Sequence, residues 1–109
     1  MGDMNYIGGT VRILEIPALQ VNKNEIPFTK FRVQLPQLRV KQYKTILTLL
    51  VSGNLAQDIV KYYRINDYIL IEGYLSIRKS LHQKHITKEF LQVNVFKIFP
   101  LFLNTKTTN

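Results

Sequence analysis

The 109-residue chain contains no cysteine and no tryptophan. Without cysteine it has no disulfide, no thiolate nucleophile and no thiolate-bound metal. Long hydrophobic runs are also missing. The longest apolar stretches, such as Ile46 to Val51, are short and interrupted by Thr48. No membrane span is therefore expected. The N-terminal residues, Met1-Gly2-Asp3-Met4-Asn5, have neither a basic start leading into an apolar segment nor an Arg/Ser-rich transit character. The chain is expected to act where it is made.

Features of catalysis are absent as well. The acids are scattered, with no close pair for general acid/base work. No nucleophile sits in a recognisable elbow, and Gly8-Gly9 leads into strand residues rather than a phosphate-binding helix. His82 and His85 stand three apart in a loop, with Glu89 the one acid near them. Two loop histidines make a poor metal site. No enzyme activity, metal or cofactor is expected.

What is present is a hydrophobic fraction of 46% in a chain long enough for one domain. That domain is expected over residues 1–103, with a polar, disordered tail over 104–109. Asn, Ile, Lys and Tyr supply 36 of the 109 residues. All four have AT-rich codons, which points to an AT-rich coding genome.

Basic residues outnumber acidic ones by 15 to 7, for a net charge of +8. Their placement matters more than the total. Between Glu25 and Asp58 there is no acid, and Lys30, Arg32, Arg39, Lys41 and Lys44 are basic. Between Glu72 and Glu89 there is again none, and Arg78, Lys79, Lys84 and Lys88 are basic. These two windows hold +9 and the remainder holds −1. The excess is confined to two segments, which predicts one positive surface built from both.

Alternation of apolar and polar residues dominates the rest. Strands are expected over about Asn5–Leu14, Phe28–Leu35, Lys44–Ser52, Tyr68–Ser80 and Lys88–Phe99. In the second, Phe31, Val33 and Leu35 point inward. In the fourth, Ile69, Ile71, Gly73, Leu75 and Ile77 share a face opposite Tyr74 and Arg78, and Gly73 invites a bend. Gly8-Gly9 in the first strand predicts a bulge or a close approach. Asn54–Tyr63 does not alternate. Leu55, Ile59 and Tyr62 or Tyr63 fall on one helical face, with Gly53-Asn54 able to cap the start. The order is three strands, one helix, two strands. Five strands are too few for a complete sandwich, but long bent strands can curl into a small barrel. The expected fold is all-β with one short helix, a five-stranded oligonucleotide/oligosaccharide-binding (OB) barrel.

Particular segments add a family. Val51-Ser52-Gly53-Asn54-Leu55-Ala56 resembles the strand-to-helix segment of bacterial single-stranded DNA-binding proteins. Ile71-Glu72-Gly73-Tyr74-Leu75 is similar to their fourth strand, and Thr87-Lys88-Glu89 with Leu91 and Val93 to their last. Gly9-Thr10-Val11, Ile26-Pro27 and Val51-Ser52-Gly53 also resemble primosomal replication protein N. The similar spacing runs from about Asn5 to Leu101. With the AT-rich coding, the chain most resembles the short plastid-encoded forms of algae. The resemblance implies a plastid protein if the gene is plastid-borne, and a cytoplasmic one otherwise.

It further implies sequence-independent binding of single-stranded DNA in replication, repair or recombination. Three alternatives stay open: a primosome-type accessory barrel acting through replication proteins, a single-stranded RNA binder, and a pure protein-interaction barrel. The family stacks bases mostly on tryptophan, and the matching positions here hold Arg39, Ile46, Ser52 and Ser80. Its acidic C-terminal tip has no counterpart in the closing Thr107-Thr108-Asn109.

Phosphate contacts are expected from Arg32, Arg39, Lys41, Lys44, Arg78, Lys79, Lys84 and Lys88, and base stacking from Tyr74 and Tyr43. Phe28 and Tyr6 suit core or interface positions better. Phe96, Ile98, Phe99, Leu101, Phe102 and Leu103 are more apolar than a free C-terminus needs. With an exposed first-strand edge they predict a homodimer or homotetramer.

Overall fold

Period-two alternation becomes strand wherever one face can be buried, and this chain buries one face of nearly every strand. The computed structural model describes residues 5–36, 45–82 and 86–102. Its elements are β1 (Asn5–Ile13), β2 (Gln20–Val21), β3 (Pro27–Leu35), β4 (Thr45–Ser52), α1 (Asn54–Tyr62), β5 (Tyr68–His82) and β6 (Ile86–Phe102). All five expected strands and the helix are there. The addition is β2, two residues that pair Gln20 with Phe28 and Val21 with Pro27.

The sheet order is β1-β5-β6-β4-β3-β2, and β1 also pairs with β3 through Arg12–Gln34 and Ile13–Val33. That last pairing closes the five long strands into a ring. All pairings are antiparallel except β4–β6, which is parallel over Thr48–Gln92, Leu49–Val93 and Leu50–Asn94.

The interior is filled by alternate residues. Val11 and Ile13, Phe31 and Val33, Leu47, Leu49 and Val51, Ile69 and Ile71, and Val93 and Val95 are buried together. From α1, Ala56 and Ile59 close the core, with Leu55 and Tyr63 packed against it. Of the two tyrosines eligible for the helical face, Tyr63 packs inward and Tyr62 is exposed. Gly53 occupies the helix N-cap at φ 74°, with no side-chain cap. Its amide instead donates to the Pro27 carbonyl at 2.8 Å.

Two expectations need correction. Of the bulge or close approach expected at Gly8-Gly9, the bulge is absent, because β1 pairs with β5 in unbroken register from Asn5–Leu75 to Arg12–Tyr68. A close approach is found at Gly8, where a Cβ would stand 3.2 Å from the Tyr6 hydroxyl oxygen. A register shift falls instead between Glu72 and Gly73, where β5 lies against β6. A Cβ on Gly73 would run into the Asn94 carbonyl oxygen and stand 2.7 Å from Val93 Cγ1. Ile77 shares the inward alternation but is 62% exposed. It lies on the hairpin arm formed by the far ends of β5 and β6.

Candidate nucleic-acid interface

The outward residues of β3 are Phe28, Lys30, Arg32 and Gln34. Across β4 they face Ser52, Leu50, Thr48 and Ile46. Continuing across the sheet, Thr48 and Leu50 face Gln92 and Asn94 of β6. Those two face Ser76 and Tyr74 of β5. Further along the arm Phe90 faces Arg78, and Lys88 faces Ser80. Successive strand residues point to opposite sides, so all of these share the outer face. Lys30, Arg32, Arg78 and Lys88 are exposed on it. Two charge windows far apart in sequence thus meet on one surface.

Two expected phosphate ligands are partly diverted. The Arg32 backbone amide and its Nε both donate to Glu15, at 2.8 Å each. This is an exposed ion pair, one that salt and phosphate can compete with. Lys79 faces Glu89 across the β5–β6 ladder. Alternation therefore places it on the side opposite Arg78.

Tyr74 lies on the outer face but belongs to an aromatic group. Its ring centroid is 5.3 Å from Phe96 and 6.3 Å from Tyr6, and Tyr6 is 6.3 Å from Phe96. Tyr74 is 40% exposed, Phe96 43% and Tyr6 57%. The Tyr6 pKa is raised above its ordinary value by desolvation and by the hydrogen bond its hydroxyl makes to Glu72.

Arg39, Lys41, Tyr43, Lys44, Lys84 and His85 lie outside the described residues, as do the His82 side chain and the tail 104–109. Two residues of the described face escaped the sequence reading of the site. Lys30 alternates with Arg32, so the charge window contained it without assigning it a contact. Phe90 alternates with Lys88, and its ring lies beneath Lys30, whose Nζ is 5.9 Å from the ring centroid. Counting back from the β5–β6 turn would have set Phe90 opposite Arg78. Nothing local in the sequence links Phe90 to Lys30.

A scan against models of known protein families gives no match. Solved structures resemble the fold closely. A small single-stranded DNA-binding protein from Streptomyces coelicolor superposes with a TM-score of 0.76, 14% identity, and 91% of this chain and 95% of the other covered. The SSB domain of a Synechococcus sp. protein gives 0.68 and 21%, covering 90% and 97%. The yeast (S. cerevisiae) mitochondrial single-stranded DNA-binding protein Rim1 gives 0.73 and 14%, covering 95% and 100%. These likenesses establish the OB fold. At the level of sequence, a Trieres chinensis protein named "Putative single-stranded DNA-binding protein ycf41" is 36% identical over 106 residues, 94% of this chain and 93% of its own length. A match of that identity and extent, on a shared fold, means that the chain belongs to the ycf41 family of single-stranded DNA-binding-type proteins.

Proposed function

We propose that this protein binds single-stranded DNA without sequence preference, as a non-catalytic strand-coating protein. The observation that carries the reading is the outer face itself. Lys30, Arg32, Arg78 and Lys88 come from β3, β5 and β6 and are exposed on one surface. Such a cationic track is suited to a phosphate backbone. Membership of the ycf41 family supports the same substrate. By chain position Arg39, Lys41 and Lys44, between β3 and β4, and Lys84, between β5 and β6, complete the cationic set, and Tyr43 beside Lys44 offers a ring for stacking. Lys79 contributes from the opposite side of the arm.

The protein acts as a homodimer or homotetramer in this reading, with Tyr6, Tyr74 and Phe96 at the subunit contact. Three clustered, exposed rings are more apolar surface than a monomer needs in water. The edge of β1 is a second point of contact. The abundance of Asn, Ile, Lys and Tyr, residues with AT-rich codons, and the family support a plastid location.

Fluorescence anisotropy tests the reading. Labelled thymidine and uridine homopolymers and a duplex are titrated at several salt concentrations. With four to six phosphates neutralised, log affinity against log salt is expected to fall with a slope of about −3 to −4. Tight binding to the thymidine strand and weak binding to duplex are the expected outcome. A preference for the uridine strand would make it an RNA binder. No binding at low salt, or measurable affinity with a slope near zero, refutes the proposal. Light scattering tests the assembly. A wild-type monomer at micromolar concentration, or an oligomer unchanged by Phe96→Ser, removes the subunit contact.

A further inference from the structure

We infer that Phe90 is a base-stacking residue, with Lys30, Arg78 and Lys88 seating the phosphates that flank the stacked base. The inference rests on the proposed single-strand binding and adds a residue to that surface. Phe90 is half-buried on the outer face of β6. Arg78 stands directly across from it on β5, and Lys88 precedes it by one alternation on its own strand. Lys30 reaches it from β3, with its ammonium over the ring. The nearest acid in sequence, Glu89, faces Lys79 across the ladder and points to the other side of the strand by alternation, though it shares the rim of one cavity with Phe90, Ile77 and Leu91. Phe90 is thus a flat apolar surface framed by three cations from three strands. Single-strand binding sites need that combination, because every base offers a π-face and each is tethered to a phosphate.

The Lys30 contact explains how such a ring is kept in the free protein. A cation over the ring occupies the place a base would take. An exposed cation–π contact is weaker than base stacking. When a strand arrives, the base displaces the ammonium, and the ammonium moves to a phosphate. Both exchanges favour the complex. The aromatic group of Tyr6, Tyr74 and Phe96 offers no such arrangement. Its rings pack on one another, and the Glu72 carboxylate beside it stands across the ladder from Lys97, so no cation there is left over for a phosphate.

The absence of tryptophan supplies the test. Phe90→Trp introduces a single indole that can be excited apart from the tyrosines. Stacking on a base quenches it. Phe96→Trp, in the aromatic group, is the control. The expected result is saturable quenching of the Phe90→Trp protein by a thymidine homopolymer, following the anisotropy curve, with little change in the control. Phe90→Leu keeps apolar bulk but removes the flat face. It should weaken binding by about 5- to 150-fold while leaving the salt slope unchanged. Lys30→Gln should instead lower the slope magnitude by about 0.7. Circular dichroism checks that each variant is folded, and Phe90→Trp retains an aromatic ring should Phe90→Leu fail. Unquenched fluorescence in a Phe90→Trp protein that binds DNA, or wild-type affinity in folded Phe90→Leu, overturns the inference and leaves single-strand binding standing. Failure of the wild-type protein to bind any strand removes both.

Discussion

Replacing Gly73 with alanine is a sharp test of how β5 and β6 meet. The glycine lies at the register shift in β5. An added Cβ would overlap the Asn94 carbonyl oxygen and approach Val93 Cγ1 to 2.7 Å. Relief cannot come from a side-chain rotation, because the obstruction is main chain. That main chain is held from both sides, by Tyr74–Asn94 in β5 and Leu50–Asn94 in β4. Overpacking costs about 1–3 kcal/mol, and a backbone collision belongs at the upper end. Stiffening the unfolded chain returns about 0.4–1 kcal/mol. The net expectation is a loss of about 2 kcal/mol, which for a domain near this size lowers Tm by about 8–16 °C. Gly9 is the control, since a Cβ there meets nothing within 4 Å. Gly9→Ala should melt at or slightly above the wild type. Thermal unfolding followed by circular dichroism measures both. A Gly73→Ala protein as stable as wild type would show that β6 yields at Asn94 and that the close approach does not set the bend.

Four further substitutions test other parts of the structure. Thr29 is buried and its hydroxyl has no partner among the described residues, so Thr29→Val should stabilise by about 1 kcal/mol and raise Tm by several degrees; a lower Tm would mean the hydroxyl is satisfied in solution. Glu15→Gln releases the Arg32 guanidinium, and the slope of log DNA affinity against log salt should steepen by about 0.7, whereas an unchanged slope would show that Arg32 makes no phosphate contact. Arg78→Ala should weaken DNA binding more than Lys79→Ala, because Lys79 faces Glu89 on the other side of the arm; equal losses would show that the strand contacts both sides.

The parts of this structure legible in the sequence were those governed by local period. Phe31, Val33, Leu47, Leu49, Ile69 and Ile71 are apolar at every second position of their strands, and all are buried. Ile77 obeys the same alternation and is exposed, because period reveals which side a residue faces and not whether the barrel extends that far. Gly73 and Gly8-Gly9 look alike as glycines in strands. Only the approach of β6 distinguishes them. The site was legible as charge and less so as geometry. Arg32 and Glu15 are seventeen residues apart, and their pairing depends on the chain folding back after β1. Lys30 and Phe90 meet only because β4 and β6 pair in parallel, a long-range contact that leaves no mark on either segment.

The β5–β6 ribbon carries two surfaces that need not compete. Phe90 and Arg78 stand toward the arm, and Phe96 with Tyr74 toward the barrel. Between them lie Ser76, Gln92 and Asn94, an uncharged band in which Gln92 Nε2 donates to Asn94 Oδ1 at 2.9 Å. Six residues of strand separate Phe90 from Phe96, about 20 Å at the usual rise. That exceeds the Debye length at physiological salt, about 8 Å, so charge at one end is screened from the other. A strand seated on the cationic end therefore leaves the aromatic end available to a second subunit. Phe96→Ser should dissociate the oligomer yet keep the salt slope per bound protomer. If the slope collapses with the oligomer, the DNA path runs between subunits and the two surfaces are one.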